Sequence, residues 1–338
     1  MIDRLLWIET ENTEPYKNLA MEEYLTLHGP KGACILFLWQ NRHTVVIGKN
    51  QNCWKECRVE ELEKDGGFLA RRPSGGGAVF HDLGNLNFSF IADREDYRVD
   101  RQLDVILEAV RMAGIRAEKT GRNDIAVDGK KFSGNAFNRM GGRCCHHGTL
   151  MIHADREAMS RYLSVSQDKL ASKGVSSVKS RVTNLDAYCP GLTVERMKEY
   201  LVSAFEHIYG QKAEQVREES LPGEEIAALR ERFASWEWKY GRRIPFSREI
   251  DGRYSWGGIQ IQLAVNEGRI VQVQIFSDAM EQELAPALEM ALKGCPYRTN
   301  EMEERAAKAV RAVGEETAIP PQMEEDIRQL MQSALECV

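Results

Sequence analysis

The dipeptide Asp128-Gly129 constrains how this chain can fold more tightly than any other pair in it. It stands between Ile125-Ala126-Val127 and Lys130-Lys131-Phe132, two short strand-like runs. Both residues of such a pair can take positive φ, which a two-residue hairpin turn requires. Lys131 therefore sits on a strand just past a tight turn, where a cation is held on rigid backbone. Strand alternation sends Lys130 and Lys131 to opposite faces, with Phe132 on the face of Lys130.

Other signals divide the rest of the chain. Asn18–Leu25 reads as an amphipathic helix, and Cys34–Trp39 and Thr44–Ile47 as strands. Their connection, Gln40-Asn41-Arg42-His43, has the length of a hairpin loop. Leu86–Phe90 alternates apolar and polar residues as a half-buried strand does. Arg101–Ala113 repeats Leu103, Ile106, Val110 and Ala113 and meets Gly114 at its C-terminal stop. Thr149–His153 reads as a strand, and Val194–Ile208 as a helix ended by Gly210.

Composition then shifts. Gln211–Arg232 is strongly charged, and Phe246–Gly252 reads as a connection to a second unit. That unit has strands Ile259–Val265 and Ile270–Phe276 around Asn266-Glu267-Gly268, then helices Met302–Val313 and Met323–Leu335. It makes a small α+β module of its own. A length of 338 residues suits two domains.

Chemistry concentrates in Arg71-Arg72-Pro73-Ser74-Gly75-Gly76-Gly77-Ala78-Val79-Phe80-His81-Asp82. Three successive glycines permit backbone conformations barred to other residues and let a ligand approach the main chain. Their N–H groups are expected to converge on an anion as a nest, with Arg72 adding a charged fork suited to phosphate. No Gly-Lys-Ser/Thr follows, so this is not a P-loop, and the lysine for such a cradle must come from elsewhere. Lys131 and Lys130 both compete for that part.

The net charge of -6 argues against a general nucleic-acid binder. The first residues lack the apolar run of a signal peptide and no segment is long enough to span a bilayer, so a cytoplasmic protein without membrane partners is expected. Eight cysteines without a paired framework read as reduced thiols. Cys53 and Cys57 have helical spacing but no second pair to complete a zinc site. In Cys144-Cys145-His146-His147, neighbours on a strand point to opposite faces, so four ligands do not converge on one metal.

Several of these segments, in order and spacing, resemble the bacterial lipoate–protein ligases of the biotin/lipoate ligase superfamily. They are Asn18-Leu19-Ala20-Met21-Glu22-Glu23, Arg71–Asn85, Gly121-Arg122-Asn123-Asp124, Lys131-Phe132-Ser133-Gly134, His146-His147-Gly148-Thr149-Leu150 and Ser180-Arg181-Val182-Thr183-Asn184-Leu185. Trp256-Gly257-Gly258 resembles the start of that family's C-terminal accessory domain.

The resemblance implies an α/β (α+β) fold. A catalytic domain at 1–246 would have a mixed, mostly antiparallel sheet flanked by helices, and a small α+β accessory domain would follow at 253–338. It implies ATP-dependent formation of lipoyl-AMP, with Mg²⁺, and transfer of the lipoyl group to apo lipoyl domains of 2-oxoacid dehydrogenase complexes and to the glycine cleavage H protein. Lipoate or octanoate would be the small-molecule substrate.

By the same resemblance Lys131 is the catalytic lysine, touching both the acid's carboxylate and the nucleotide's α-phosphate. Arg72, Ser74, Gly75, Gly76, Gly77, Ala78, Val79, Phe80, His81, Asn85, Asn123 and Asp124 are expected at ATP or lipoyl-AMP, with Asp124 helping to place Mg²⁺. His147 and Gly148, with Lys131, are expected at lipoate.

The family pattern does not call for Cys144 or Cys145. A cysteine there leaves room for a rival, an ATP-independent acyl transferase working through a thioester. The accessory domain counts against that rival. A lipoyl-binding module without catalysis is disfavoured by the presence of both Arg72 and Lys131, and biotin ligation by the motif order. The basic stretch Lys173–Arg181 is expected to steer an acidic lipoyl domain, or to close over that acceptor or the adenylate, through Lys173, Lys179 and Arg181.

Overall fold

The computed structural model describes all residues except 122, 165–180, 242–243, 318 and 334–338. Arg122, Lys173, Lys179 and Ser180 thus lie outside the described residues. The chain divides into two compact units, one of Met1–Val46, Trp54–Arg71 and Ala78–Lys239, the other of Ile47–Cys53, Arg72–Gly77 and Tyr240–Val338.

The first unit is built on an eight-stranded sheet in the order β11-β1-β2-β6-β10-β9-β8-β7. The strands are β1 (Arg4–Glu9), β2 (Ala33–Trp39), β6 (Asn85–Asp93), β7 (Glu118–Thr120), β8 (Asp124–Val127), β9 (Lys130–Met140), β10 (Arg143–Met151) and β11 (Ala213–Gln215). The pairs β1–β11 and β1–β2 are parallel and the rest antiparallel, so the sheet is mixed and mostly antiparallel.

Helices cover both faces. On one, Val105, Ile106 and Val110 of the helix Val99–Met112 and Met197, Leu201 and Phe205 of the helix Val194–Tyr209 pack on Leu36, Phe88, Phe90 and Leu150. On the other, Leu19, Met21 and Leu25 of the helix Pro15–His28 and Phe233 of the helix Gly223–Ala234 pack on Ile35, Phe37 and Ile91. Burying such side chains is worth about 1.5–3 kcal/mol each relative to exposure. β6 is therefore buried on both faces, not half-buried: its polar Ser89 faces the helix Pro15–His28 and donates to Glu22, and Asn87 is buried too.

The Asp128-Gly129 turn forms as expected. Both residues have positive φ, 48° and 71°, and Val127 pairs with Lys130. Gly114 and Gly210 take left-handed φ at the ends of their helices. One expected connection is different: β2 and β3 (Thr44–Ile47) do not form a hairpin. β3 pairs instead with β5 (Val79–His81) in a separate small sheet that also includes β4 (Phe68–Arg71).

The second unit has an antiparallel sheet of β12 (Arg248–Tyr254), β13 (Gly257–Asn266) and β14 (Arg269–Ser277). Helices Leu284–Leu292, Thr299–Glu316 and Met323–Ser333 bury Leu288, Val310 and Leu330 against Ile261, Leu263 and Ile275. Residues 248–252, expected as connection, are thus strand. The charges of Arg248, Glu249 and Asp251 mask a pattern in which only Ile250 is buried. Among the described residues no helix is long and apolar enough to cross a membrane.

Candidate active site

In the first unit, a bulge aims the key lysine. Lys131 stands opposite Ala126 and Ser133 opposite Ile125, so Phe132 is an extra residue in β9. Such a bulge shifts the alternation of faces by one. Lys131 and Gly134, three apart, therefore share the face of Asp124, which is opposite Gly134.

The Lys131 ammonium lies over Gly134: a Cβ there would be 2.7 Å from Nζ. It also pairs with Asp124 Oδ1 at 2.6 Å, while Arg181 Nη2 holds Asp124 Oδ2 at 2.5 Å. Arg181 arrives through the segment Arg181–Thr183, since Val182 bridges to Lys131 and Thr183 N–H donates to the Lys131 carbonyl. The lysine is thus fixed on three sides, and a carboxylate balances two cations. The basic stretch ending at Arg181 suggests contact with the acceptor or the adenylate, but nothing in it points to Asp124 as a partner. The two lie 57 residues apart, and no local pattern relates them.

The sheet face that carries Lys131 continues across β10 and β6. Thr149 lies opposite Asn87, His147 opposite Ser89, and Cys145 opposite Ile91. Here Glu22, from the helix Pro15–His28, is nearly fully buried. His147 Nδ1 donates to its carboxylate at 2.9 Å, Ser89 Oγ donates to it at 2.5 Å, and Trp39 Nε1 donates to Ser89 Oγ at 3.0 Å. Burial alone would push the Glu22 carboxyl up, but the His147 charge and the hydrogen bonds from His147, Ser89 and Cys145 outweigh it. The net direction is below the ordinary value of 4.5. Glu22 was not among the residues singled out for a role, although it belongs to the quoted Asn18–Glu23 segment.

Gly148 has its missing side chain on the opposite face. A Cβ at 148 would meet Phe88 Cζ at 2.4 Å and Asn135 Oδ1 at 2.8 Å. Any contact it makes with a ligand on the Lys131 face is through backbone. Asn123, next to Asp124, is tied to Asn135. Asn85 Nδ2 donates to Asn87 Oδ1, and His81 stands 3.2 Å from Asn41 Nδ2. Phe80 stacks on Tyr162 and meets His43 edge-on, and His43 and Tyr162 also touch, so the Phe80 side chain is committed to this three-ring cluster.

The glycine-rich segment belongs to the second unit. Arg72 is buried, and its guanidinium points inward: Nε donates to Ser74 Oγ at 3.0 Å, and Nη2 to the carbonyls of Gly75 and Gly77 at 2.7 and 2.8 Å. Gly76 N–H donates to the Ala279 carbonyl at 3.0 Å, so the three amides do not all converge on one anion as expected. The glycines are required by close approach. A Cβ on Gly75 would be 2.5 Å from the Ala279 carbonyl oxygen, and Gly76 has φ of 87°. Ser74 accepts through its carbonyl from Lys49 N–H, and Lys49 pairs with Glu283 at 2.8 Å.

Cys144 and Cys145 are both buried, on opposite faces of β10, and burial raises the pKa of both thiols. A nucleophilic cysteine needs the reverse, an exposed and acidified thiol. Among the described residues, the single group of three potential metal ligands within 4.8 Å of one another is Glu22, Cys145 and His147; Cys53 and Cys57 are in no such group.

The family model of the lipoyl protein ligase A/B catalytic domain matches residues 14–206, and that of the bacterial lipoate protein ligase C-terminus matches residues 243–330. Among solved structures, LipL1 of P. falciparum in complex with lipoate is similar at 25% identity and a TM-score of 0.80, covering 98% of this chain and 99% of that one. A bipartite lipoate protein ligase from Thermoplasma acidophilum, described with its E2 lipoyl domain, is similar at 26% identity and a TM-score of 0.61, covering 72% of this chain and 99% of that one. Lipoate-protein ligase A bound with ATP matches at 25% identity and a TM-score of 0.59, covering 71% and 99%.

Proposed function

The chain belongs to the lipoyl protein ligase A/B family, and from that premise we propose that it is an ATP-dependent lipoate–protein ligase. It forms lipoyl-AMP with release of pyrophosphate. It then transfers the lipoyl group to a lysine of apo lipoyl domains, those of 2-oxoacid dehydrogenase E2 subunits and the glycine cleavage H protein, in lipoate salvage in the cytoplasm. The observation that carries this reading is the Lys131 ammonium, held by Asp124 above Gly134 on one face of the sheet.

A carboxylate is a poor acyl donor because its leaving group would be oxide. In the first step a lipoate oxygen attacks the ATP α-phosphorus, and the bond to pyrophosphate breaks. Negative charge gathers on the α-phosphate, and Lys131 stabilises it while holding the acid's carboxylate. In the second step the acceptor lysine's amine attacks the acyl carbon, AMP leaves with the bonding pair, and the amine loses a proton. No covalent enzyme intermediate is needed.

Arg72, Ser74–His81 and Asn85 are assigned to the nucleotide. Arg72 acts by stiffening the loop from within, since its donors already hold the loop's own oxygens. Asn123 and Asp124 are assigned near the phosphates, and His147 and the Gly148 backbone to lipoate.

Mg²⁺ bound with ATP would neutralise phosphate charge. Both Asp124 oxygens are paired with cations, so Asp124 can serve that ion only if Lys131 or Arg181 turns to the phosphates instead. A single carboxylate suits Mg²⁺, which keeps waters and phosphate oxygens as its other ligands. The raised, buried thiols of Cys144 and Cys145 speak against the thioester route.

The test is modification of an apo lipoyl domain by the protein with lipoate and Mg²⁺, with and without ATP. Mass gain of one lipoyl group only with ATP is expected. Modification without ATP from an octanoylated carrier would favour the transferase.

Gly134→Ala provides a sharper probe of the lysine. The added methyl group would fall 2.7 Å from Nζ and 2.9 Å from Cε. A flexible side-chain end moves aside readily, so stability should change little. Displacing the ammonium by about 1 Å should lower pyrophosphate release roughly ten- to a hundred-fold. An unchanged rate would show that the position of the lysine over Gly134 does not matter.

A further inference from the structure

A second buried polar chain approaches the same cations from the opposite face of the sheet. His146 is fully buried between β10 and the helix Val99–Met112. Its Nδ1 stands 3.1 Å from Gln102 Oε1 and its Nε2 2.8 Å from Asn135 Oδ1. Burial pushes the imidazole down to about 3, so the ring is neutral and has one N–H to give.

The neighbours decide which nitrogen carries it. Asn135 Nδ2 is committed, donating to the Asn123 carbonyl at 3.0 Å, so Asn135 Oδ1 must accept. Nε2 therefore holds the proton. Gln102 Nε2 is buried and without a partner. Turning that amide over lets its nitrogen donate to Nδ1, which satisfies both groups.

Asn135 passes the constraint on. Its backbone N–H donates to the Asn123 carbonyl at 2.8 Å, and Asn123 Nδ2 donates back to the Asn135 carbonyl at 2.8 Å. With the Nδ2 bond above, three hydrogen bonds lock Asn123, and the next residue is Asp124. Gly148 makes the space for this arrangement, because a Cβ there would come within 2.8 Å of Asn135 Oδ1.

We propose that His146 and Asn135 are positioning residues for adenylation: the Gln102–His146–Asn135 chain fixes Asn123, and through it the Asp124 carboxylate that orients Lys131 and Arg181. Neither residue touches the reacting atoms. The assignment rests on the adenylation chemistry proposed above.

The relay acts on the first half-reaction, so the two halves should separate. His146→Leu removes the donor, whereas His146→Gln keeps an N–H within reach of Asn135 Oδ1. With lipoate and Mg·ATP, H146L should lose roughly ten- to a hundred-fold in adenylate formation, and H146Q should recover most of it. Transfer from chemically prepared lipoyl-AMP to an apo lipoyl domain should stay near the wild-type rate in both. Asn135→Asp, which keeps the oxygen facing His146 and loses the donor to Asn123, should show the same split even if H146L does not fold.

Wild-type adenylation in H146L or N135D overturns the proposal. So does an equal loss of both half-reactions in H146Q and N135D, which would mark a purely structural role. Failure of the wild-type protein itself to form adenylate is a different result and removes the functional reading.

Discussion

Lys131→Ala should fold normally and lose adenylate formation by about a hundred- to a thousand-fold, the usual cost of removing one preorganised group from a charge-developing transition state. The fold should survive because the lysine is partly exposed and its pair with Asp124 is one of two, Arg181 keeping the other oxygen. The Arg181 partner keeps the Asp124 carboxylate from being left without a cation when the lysine is removed. Pyrophosphate release with lipoate and Mg·ATP measures the chemical loss, and thermal unfolding checks the fold. Lys130→Ala is the matched control: Lys130 is exposed beside the turn, and its removal should leave the rate unchanged. A Lys131→Ala protein that releases pyrophosphate at the wild-type rate would remove this lysine from the mechanism.

The largest effect on stability is expected at Glu22. Glu22→Ala leaves a buried imidazole donor at His147 and a buried hydroxyl at Ser89 without their acceptor. Breaking a buried pair by removing one partner costs about 3–5 kcal/mol. That is a large share of the 5–15 kcal/mol of a typical domain, and urea unfolding would register it.

The sign of the acid response follows from the carboxyl's direction. Its folded pKa lies below the ordinary 4.5, so the folded state binds the proton less readily than the unfolded chain. The stabilisation is therefore fully present above the ordinary value and is lost as pH falls through the folded one. Glu22→Gln, which cannot ionise, should flatten this part of the stability–pH curve. An unchanged acid slope in the Gln variant would show that another group sets it.

Much of the fold could be read from local signals. Asp128-Gly129 set a hairpin and put Lys131 on a strand, because turn chemistry is a property of two adjacent residues. Gly114 and Gly210 marked helix ends for the same reason. What escaped depends on residues far apart in the chain. Thr44–Ile47 reads as the partner of Cys34–Trp39, yet it pairs with Val79–His81, a choice set by three-dimensional packing. The helix Leu284–Leu292 shows little polar face and carries Pro286, so periodicity does not announce it.

The site divides the same way. In sequence, the turn puts Lys131 on a strand beside its competitor Lys130, and the choice of Lys131 and the roles of Asp124 and His147 come from the family resemblance. The bulge at Phe132, the Arg181–Asp124 pair and the inward turn of Arg72 do not appear there. The glycine triplet suggested an open anion nest, and its segment instead uses Gly75 and Gly76 to fit closely against Ala279 and Met280. A run of glycines signals close backbone approach without saying whether the neighbour is a ligand or the chain itself.

Activation of the acid before transfer is the central claim, and a single turnover without acceptor tests it most directly. Protein mixed with lipoate and Mg·ATP, then quenched, should contain lipoyl-AMP and pyrophosphate in equal amounts. Adding an apo lipoyl domain before the quench should consume the adenylate as modified lysine and AMP appear. Lysine modification with no adenylate formed at any time, or an acyl thioester on Cys144 or Cys145, would contradict the account.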